Sequence, residues 1–148
     1  MKTWSQFAEA EPALSDFGRQ RLEGHIAYLA TIRRDGSPRV HPVSPFLANH
    51  RLFVYMEPTS PKGHDLRRDQ RYAMHCAVED NSGGQGEFVV RGEAIEVNDI
   101  KMREEAFEQA RAIGYHPQER YILFELRIGE AQATVYQEEE AKRARWKG

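Results

Sequence analysis

The sequence predicts a mainly β, α+β domain: a six-stranded antiparallel barrel with short flanking helices. Three observations predict it. Six runs rich in apolar, β-branched and aromatic residues lie close together, mostly joined by turn-forming clusters. One of those clusters, Arg34-Asp35-Gly36-Ser37, holds an Asp-Gly pair, which tolerates the positive φ of a tight hairpin. Helical patterning enters the strand succession only twice, briefly after the third run and for longer before the sixth. At 148 residues the chain has the size of one domain, taken as residues 1–148.

The elements follow in order. An N-terminal helix is expected with Ser15 as its cap, Leu14, Phe17 and Leu22 packed inward, and Gly24 at its end. The first strand runs from Ile26 to Ile32, apolar on both faces. The second spans Pro38 to Leu47. Its prolines at 38, 42 and 45 cannot donate to a ladder, so it should be an edge or bulged strand. Leu52 to Met56 is the third strand. Ser60-Pro61 reads as an N-cap followed by proline at the first helical position, opening a helix that ends near Asp69. Tyr72 to Val78 and Phe88 to Val97 are strands four and five, flanking a glycine-rich loop tip. Asn98 or Asp99 caps a longer helix with a buried stripe of Met102, Ala106, Phe107, Ala110 and Ile113. Tyr121 to Tyr136 is a long, bent sixth strand. Residues 138–148 read as a solvated, charge-balanced tail containing Trp146.

Composition narrows the function classes. Apolar residues make up 40% and charged residues 30%, as in a soluble globular chain. A formal net charge of -2 provides no general field for nucleic acid or anionic lipid. No apolar run is long enough to span a bilayer, so no membrane and no nucleic-acid partner is expected. The single cysteine, Cys76, excludes an internal disulfide, and the first residues lack the apolar core of a signal peptide. Both fit a cytoplasmic protein. The six histidines lack metal-binding spacing, so no metal site is expected.

Two stretches carry candidate chemistry. Pro58-Thr59-Ser60-Pro61-Lys62-Gly63-His64 leaves a strand and opens a helix. The first helical N–H groups lack internal partners, and the helix dipole adds positive potential there. With the Ser60 hydroxyl and the Lys62 ammonium, such a place can satisfy a phosphate monoester. The plain alternative is a helix cap beside a solvated lysine. In Arg39-Val40-His41-Pro42-Val43-Ser44-Pro45 the prolines leave carbonyls unpaired, and an irregular strand can present its remaining backbone groups to a planar ring. Its alternative is a proline-blunted edge that resists aggregation. No catalytic side chain is specified.

The order of Tyr28-Leu29-Ala30-Thr31, Arg34 to Pro38, His41-Pro42-Val43-Ser44, Leu52-Phe53-Val54-Tyr55, Ser60-Pro61-Lys62, Asp65 to Asp69 and Gly92-Glu93-Ala94 resembles the pyridoxamine 5'-phosphate oxidase-like split barrels. The resemblance extends from about Ser15 to Trp146. It implies a Greek-key split barrel that pairs as a homodimer, with a flavin mononucleotide (FMN) in the groove between chains. It implies that Ser60 and Lys62 grip the phosphate, that His41, Val43 and Ser44 follow the ribityl chain and ring, and that Tyr55 lies on the phosphate side. Trp146 of the partner would reach toward the groove. The oxidase members carry Arg at the position of His41, Lys at that of Phe46, and Arg at that of Pro61. With fewer cations here, a deazaflavin becomes the alternative to FMN. The expected activity is hydride transfer between the bound flavin and a small-molecule substrate. The alternatives are a deazaflavin-dependent reductase or a non-enzymatic flavin or haem carrier or sensor.

Overall fold

A computed structural model describes residues 1–148. The chain starts with two helices. In α1 (Trp4–Ala10), Thr3 forms a capping box: the Gln6 N–H donates to Thr3 Oγ1 at 3.2 Å, and Gln6 Oε1 accepts from the Thr3 N–H at 2.9 Å. This helix is absent from the sequence reading, since seven residues give too little periodicity. Its buried anchors are Trp4 and Phe7. The next helix, α2 (Pro12–Leu22), begins one turn before the expected cap. Pro12 supplies a preset helical φ at N1. Ser15 therefore lies inside the helix, where its hydroxyl donates to the Pro12 carbonyl at 3.0 Å.

The strands are β1 (Ala27–Ile32), β2 (Pro38–Val43), β3 (Phe46–Ala48) and β4 (Arg51–Met56). After them come α3 (Pro61–Arg68), β5 (Arg71–Cys76), β6 (Glu87–Glu96), α4 (Ile100–Ala112), β7 (Ile122–Gln137) and β8 (Glu140–Lys147). There are eight strands rather than six. The expected second strand breaks at Ser44-Pro45, because Pro45 cannot donate to a ladder, and the two parts pair with different neighbours. The tail expected to be solvated is β8, paired with β7 from Gln137↔Glu140 to Glu130↔Lys147. Glu138 and Glu139, both at positive φ, make the tight turn between them.

All named strand pairs are antiparallel, in the order β2-β1-β5-β6-β7-β4-β3, with β8 also on β7. The two ends of this order, β2 and β3, are joined by only Ser44 and Pro45. Three peptide steps reach at most about 11 Å. The sheet must therefore curl until its ends nearly meet, leaving a barrel split at Ser44-Pro45. The long β7 lines β6 along most of its length, meeting β4 at its start and β8 at its end. Its register against β6 shifts between Arg91 and Gly92. A Cβ at Gly92 would lie 1.9 Å from the Arg127 carbonyl oxygen, so only glycine fits.

The core has two parts. The barrel interior holds Leu29, Val54, Met74, Phe88 and Leu126, with Trp4 and Phe7 of α1 packed against it. A smaller cluster lies under α4, where Ala106 and Ala110 cover Phe46, Phe53, Tyr55 and Leu123. Asp99 caps α4, accepting from the Met102 N–H at 2.8 Å. Ile113, expected in the buried stripe, is 53% exposed because the helix ends at Ala112, before that turn.

A candidate cofactor-phosphate site at the split

The helix α3 sits over β1 beside the open end of β2 and carries the first half of the site. Ser60 caps it, its hydroxyl oxygen accepting from the Gly63 N–H at 3.2 Å and retaining its own proton to donate. Gly63 lets the helix sit close: a Cβ there would meet Ser60 Oγ at 3.0 Å and Ile122 Cδ1 at 3.1 Å. Lys62 is half-buried and makes no hydrogen bond or ion pair with the protein. Burial pushes its ammonium below the ordinary lysine value.

The strand β2 carries the second half. Val43 faces the core, so the two-residue alternation puts Arg39 and His41 on the same side of β2, where Arg39 is half-buried and His41 exposed. Beyond the core that side opens toward α3. His41 is held below its ordinary value first by burial, then by the neighbouring charges of Lys62 and Arg39. These three side chains therefore share one electrostatic neighbourhood. Arg39 is fixed by Asp65, its Nε donating to Oδ2 at 2.7 Å. The same carboxylate accepts from Thr31 at 2.8 Å and from Arg68 at 3.0 Å. Burial alone would raise the Asp65 carboxyl; hydrogen bonds from Arg39, Thr31 and Arg68 outweigh it and hold it below the usual range. Lys62 and His41 have no such counter-charge.

Ser44 is exposed at the split. It borders a groove of about 260 Å³ walled by Ile26, Phe46, Ile113 and Tyr115. Three residues along β2 separate it from His41, about 10 Å. Ser60 and Lys62 open α3, His41 lies on β2, and Ser44 borders its own groove just past the end of β2. Val43 is different: its side chain is 6% exposed and packed in the core, so only its backbone can face a ligand. Tyr55 lies on the other face of β4, under α4. It stacks on Phe46 at 5.4 Å and 10°, and burial pushes its hydroxyl up. Its side chain is directed away from the interior positions Val54 and Met56 beside α3. Trp146 pairs beside Ala131 and packs on Phe7 of its own chain at 5.0 Å. Ala131 is nine residues along β7 from Ile122, which touches α3, a span of about 30 Å along the strand. Within one chain Trp146 is not near Lys62. Arg39 and Asp65 were missed as site residues. Their meeting depends on a contact between a strand and a helix 26 residues apart, which no local spacing signals.

No family model and no curated protein matches the chain. Solved structures do. A haem-binding protein from Mycobacterium smegmatis superposes with a TM-score of 0.67 at 14% identity, over 88% of this chain and 55% of that one. This chain thus spans about half the length of that protein. A putative pyridoxamine 5'-phosphate oxidase from Listeria innocua gives 0.67 at 13% identity, over 84% of this chain and 97% of that one. An F420 reductase gives 0.58 at 16% identity, over 75% and 91%. The curled antiparallel sheet, its break at Ser44-Pro45 and these superpositions together give the chain a split-barrel fold, shared with these solved structures.

Proposed function

We propose that the chain binds a planar redox cofactor with an anionic end, a flavin or deazaflavin carrying a phosphate, and serves as its carrier or as an oxidoreductase that uses it. One observation carries this reading: a half-buried lysine without a protein counter-ion stands at the start of a capped helix, and its charge is felt by His41 on β2. A half-buried ammonium with no carboxylate to meet it is stabilised by an anion brought beside it. Ser60 and Lys62 would hold the phosphate, with Ser60 donating its free proton and Lys62 supplying charge. The ring would lie toward Ser44, against the apolar wall of Ile26 and Tyr115. When bound, a flavin supplies the hydride-transfer chemistry, and the chain binds and orients it and excludes water. No side chain is assigned as acid or base.

A second reading is haem. Its carboxylates would suit the same cations. His41, kept below its ordinary value by burial and by Lys62 and Arg39, is neutral at pH 7, the form that ligates iron. Titration with FMN, with a deazaflavin and with haemin separates the readings. Quenched or shifted flavin fluorescence supports the first, and a Soret band with no flavin response supports the second. Silence toward all three well above micromolar concentration overturns both.

The groove at Ser44 is open on one side, so a second copy of the chain is proposed to cover it. The outward face of the adjoining strands offers apolar surface for this: Val40 is 65% exposed, and Ile26 and Tyr28 are each 46% exposed.

A further inference from the structure

Beside the Lys62 site, on the adjoining face of α3, lies an open cleft that the reading above does not use. It runs between α3 and the β1–β2 hairpin. Four guanidinium groups line it, from Arg33, Arg34, Arg39 and Arg68, against two carboxylates, Asp35 and Asp65. Two positive charges are left over. Asp65 is 3% exposed and holds Arg39 by Nε and Arg68 by one terminal nitrogen. The remaining N–H groups of Arg39, on both terminal nitrogens, have no protein partner. Arg33 and Arg34 make no side-chain hydrogen bond or ion pair, and Asp35 is occupied by Ser37. Lys62 lies about 100° round the helix from Pro61 and does not line the cleft. Arg39 touches both regions.

Like charges gather at a cost unless something offsets it. A buried carboxylate fixes two of these arginines; Arg68 also donates to the Ile32 carbonyl, while Arg39 keeps its planar terminal fork free, the geometry that suits phosphate and carboxylate oxygens. We propose that this cleft is a second anion site, taking a multiply charged phosphate or carboxylate group beyond the one held at Lys62. The second anion is either a free ligand or a further charged group of the cofactor. The cofactor-borne form rests on the proposed function above; the free-ligand form does not.

The probe is tripolyphosphate, followed by titration calorimetry at low ionic strength on the full chain. The test variant is R33A/R34A. Both residues are exposed, and the hairpin turn is held by backbone bonds and by Asp35 with Ser37, so the variant keeps the fold. The unaltered chain should bind tripolyphosphate, and the variant should bind it at least about tenfold more weakly, the loss expected of one or more charge-assisted contacts. K62A should lose much less. FMN has one phosphate and should be indifferent to the arginine pair. FAD, with two, should weaken with it if the second anion is cofactor-borne; a loss for tripolyphosphate alone assigns the site to a free ligand. No tripolyphosphate binding by the unaltered chain, equal binding by R33A/R34A, or an equal loss in K62A overturns the second site. Failure of FMN, a deazaflavin and haemin alike to bind while tripolyphosphate binds overturns the proposed function and leaves the cleft standing.

Discussion

Lys62 holds an ammonium half out of water with no carboxylate to meet it, and His41 next to it feels that charge. An anion placed between them reverses both effects. The midpoint of His41, low in the free chain, should therefore rise when phosphate or FMN saturates the site. NMR titration of the imidazole with and without ligand measures it; an unmoved midpoint places the anion elsewhere. Lys62→Ala should cost FMN roughly 1.5–3 kcal/mol, about 10–150-fold in affinity, and cost riboflavin much less, since riboflavin lacks the phosphate. Equal losses for the two ligands would remove Lys62 from the phosphate. Asp65 has the opposite role, as an anion already satisfied. Its folded-state value lies below the ordinary carboxylate value near 3.9. It therefore contributes stability above that pH, and the contribution is lost as pH falls through its depressed folded value. Asp65→Asn should lower stability at pH 7 by about 1–3 kcal/mol. The two stability curves, measured by urea unfolding, should converge below about pH 4.

At the scale of elements, α3 and β2 matter because each is incomplete alone. The helix brings Ser60 and Lys62, the strand brings Arg39 and His41, and Asp65 ties them together through Arg39. The β6–β7 pair gives the sheet its bend. The register shift at Gly92 puts the Arg127 carbonyl where a side chain would be. Gly92→Ala should therefore force backbone movement and cost roughly 1–3 kcal/mol or more, read as a lowered midpoint in thermal unfolding. An unchanged midpoint would show that the two strands separate freely there. The tail element β8 covers the free edge of β7 and sets Trp146 on Phe7. Its strong charge disguised it: its eight residues include only three apolar ones, Ala141, Ala144 and Trp146, so pairing is legible only in three dimensions.

For the whole molecule, the split decides where a ligand can lie. Large side chains fill the barrel interior, among them Phe88, Met74 and Leu126. On the proposed reading a tricyclic ring would lie outside, in the groove at Ser44, where one chain covers only one side. Dimerisation would supply the other wall and bury Tyr28 and Val40, with two equivalent sites following from twofold symmetry. Sedimentation should show a dimer. Paired charges at Tyr28→Glu and Val40→Glu should shift it toward monomer and weaken cofactor binding together. A monomer that retains full affinity would overturn both the pairing and the groove as ring site.

The residue pattern by itself determined the antiparallel β architecture, the hairpin at Arg34 to Ser37, the Ser60-Pro61 cap, a cap at Asn98 or Asp99 and most of the inward apolar positions. Each of these rests on contacts within a few residues, where turn chemistry and alternation act. The helix start at Ser60-Pro61, on which the proposed phosphate site rests, was legible for the same reason, since a helix start is a local feature. Only the tertiary structure decided that the second strand breaks at Pro45 into opposite sheet edges, that the charged tail pairs with β7, and that Tyr55 and Val43 turn their side chains into apolar clusters. It alone brought Arg39 onto the buried Asp65, beside that carboxylate's local partner Arg68, and opened the arginine cleft. Those outcomes depend on which segments meet when the sheet curls, and a contact such as that of Arg39 with Asp65, 26 residues apart, leaves no periodic trace in a single sequence.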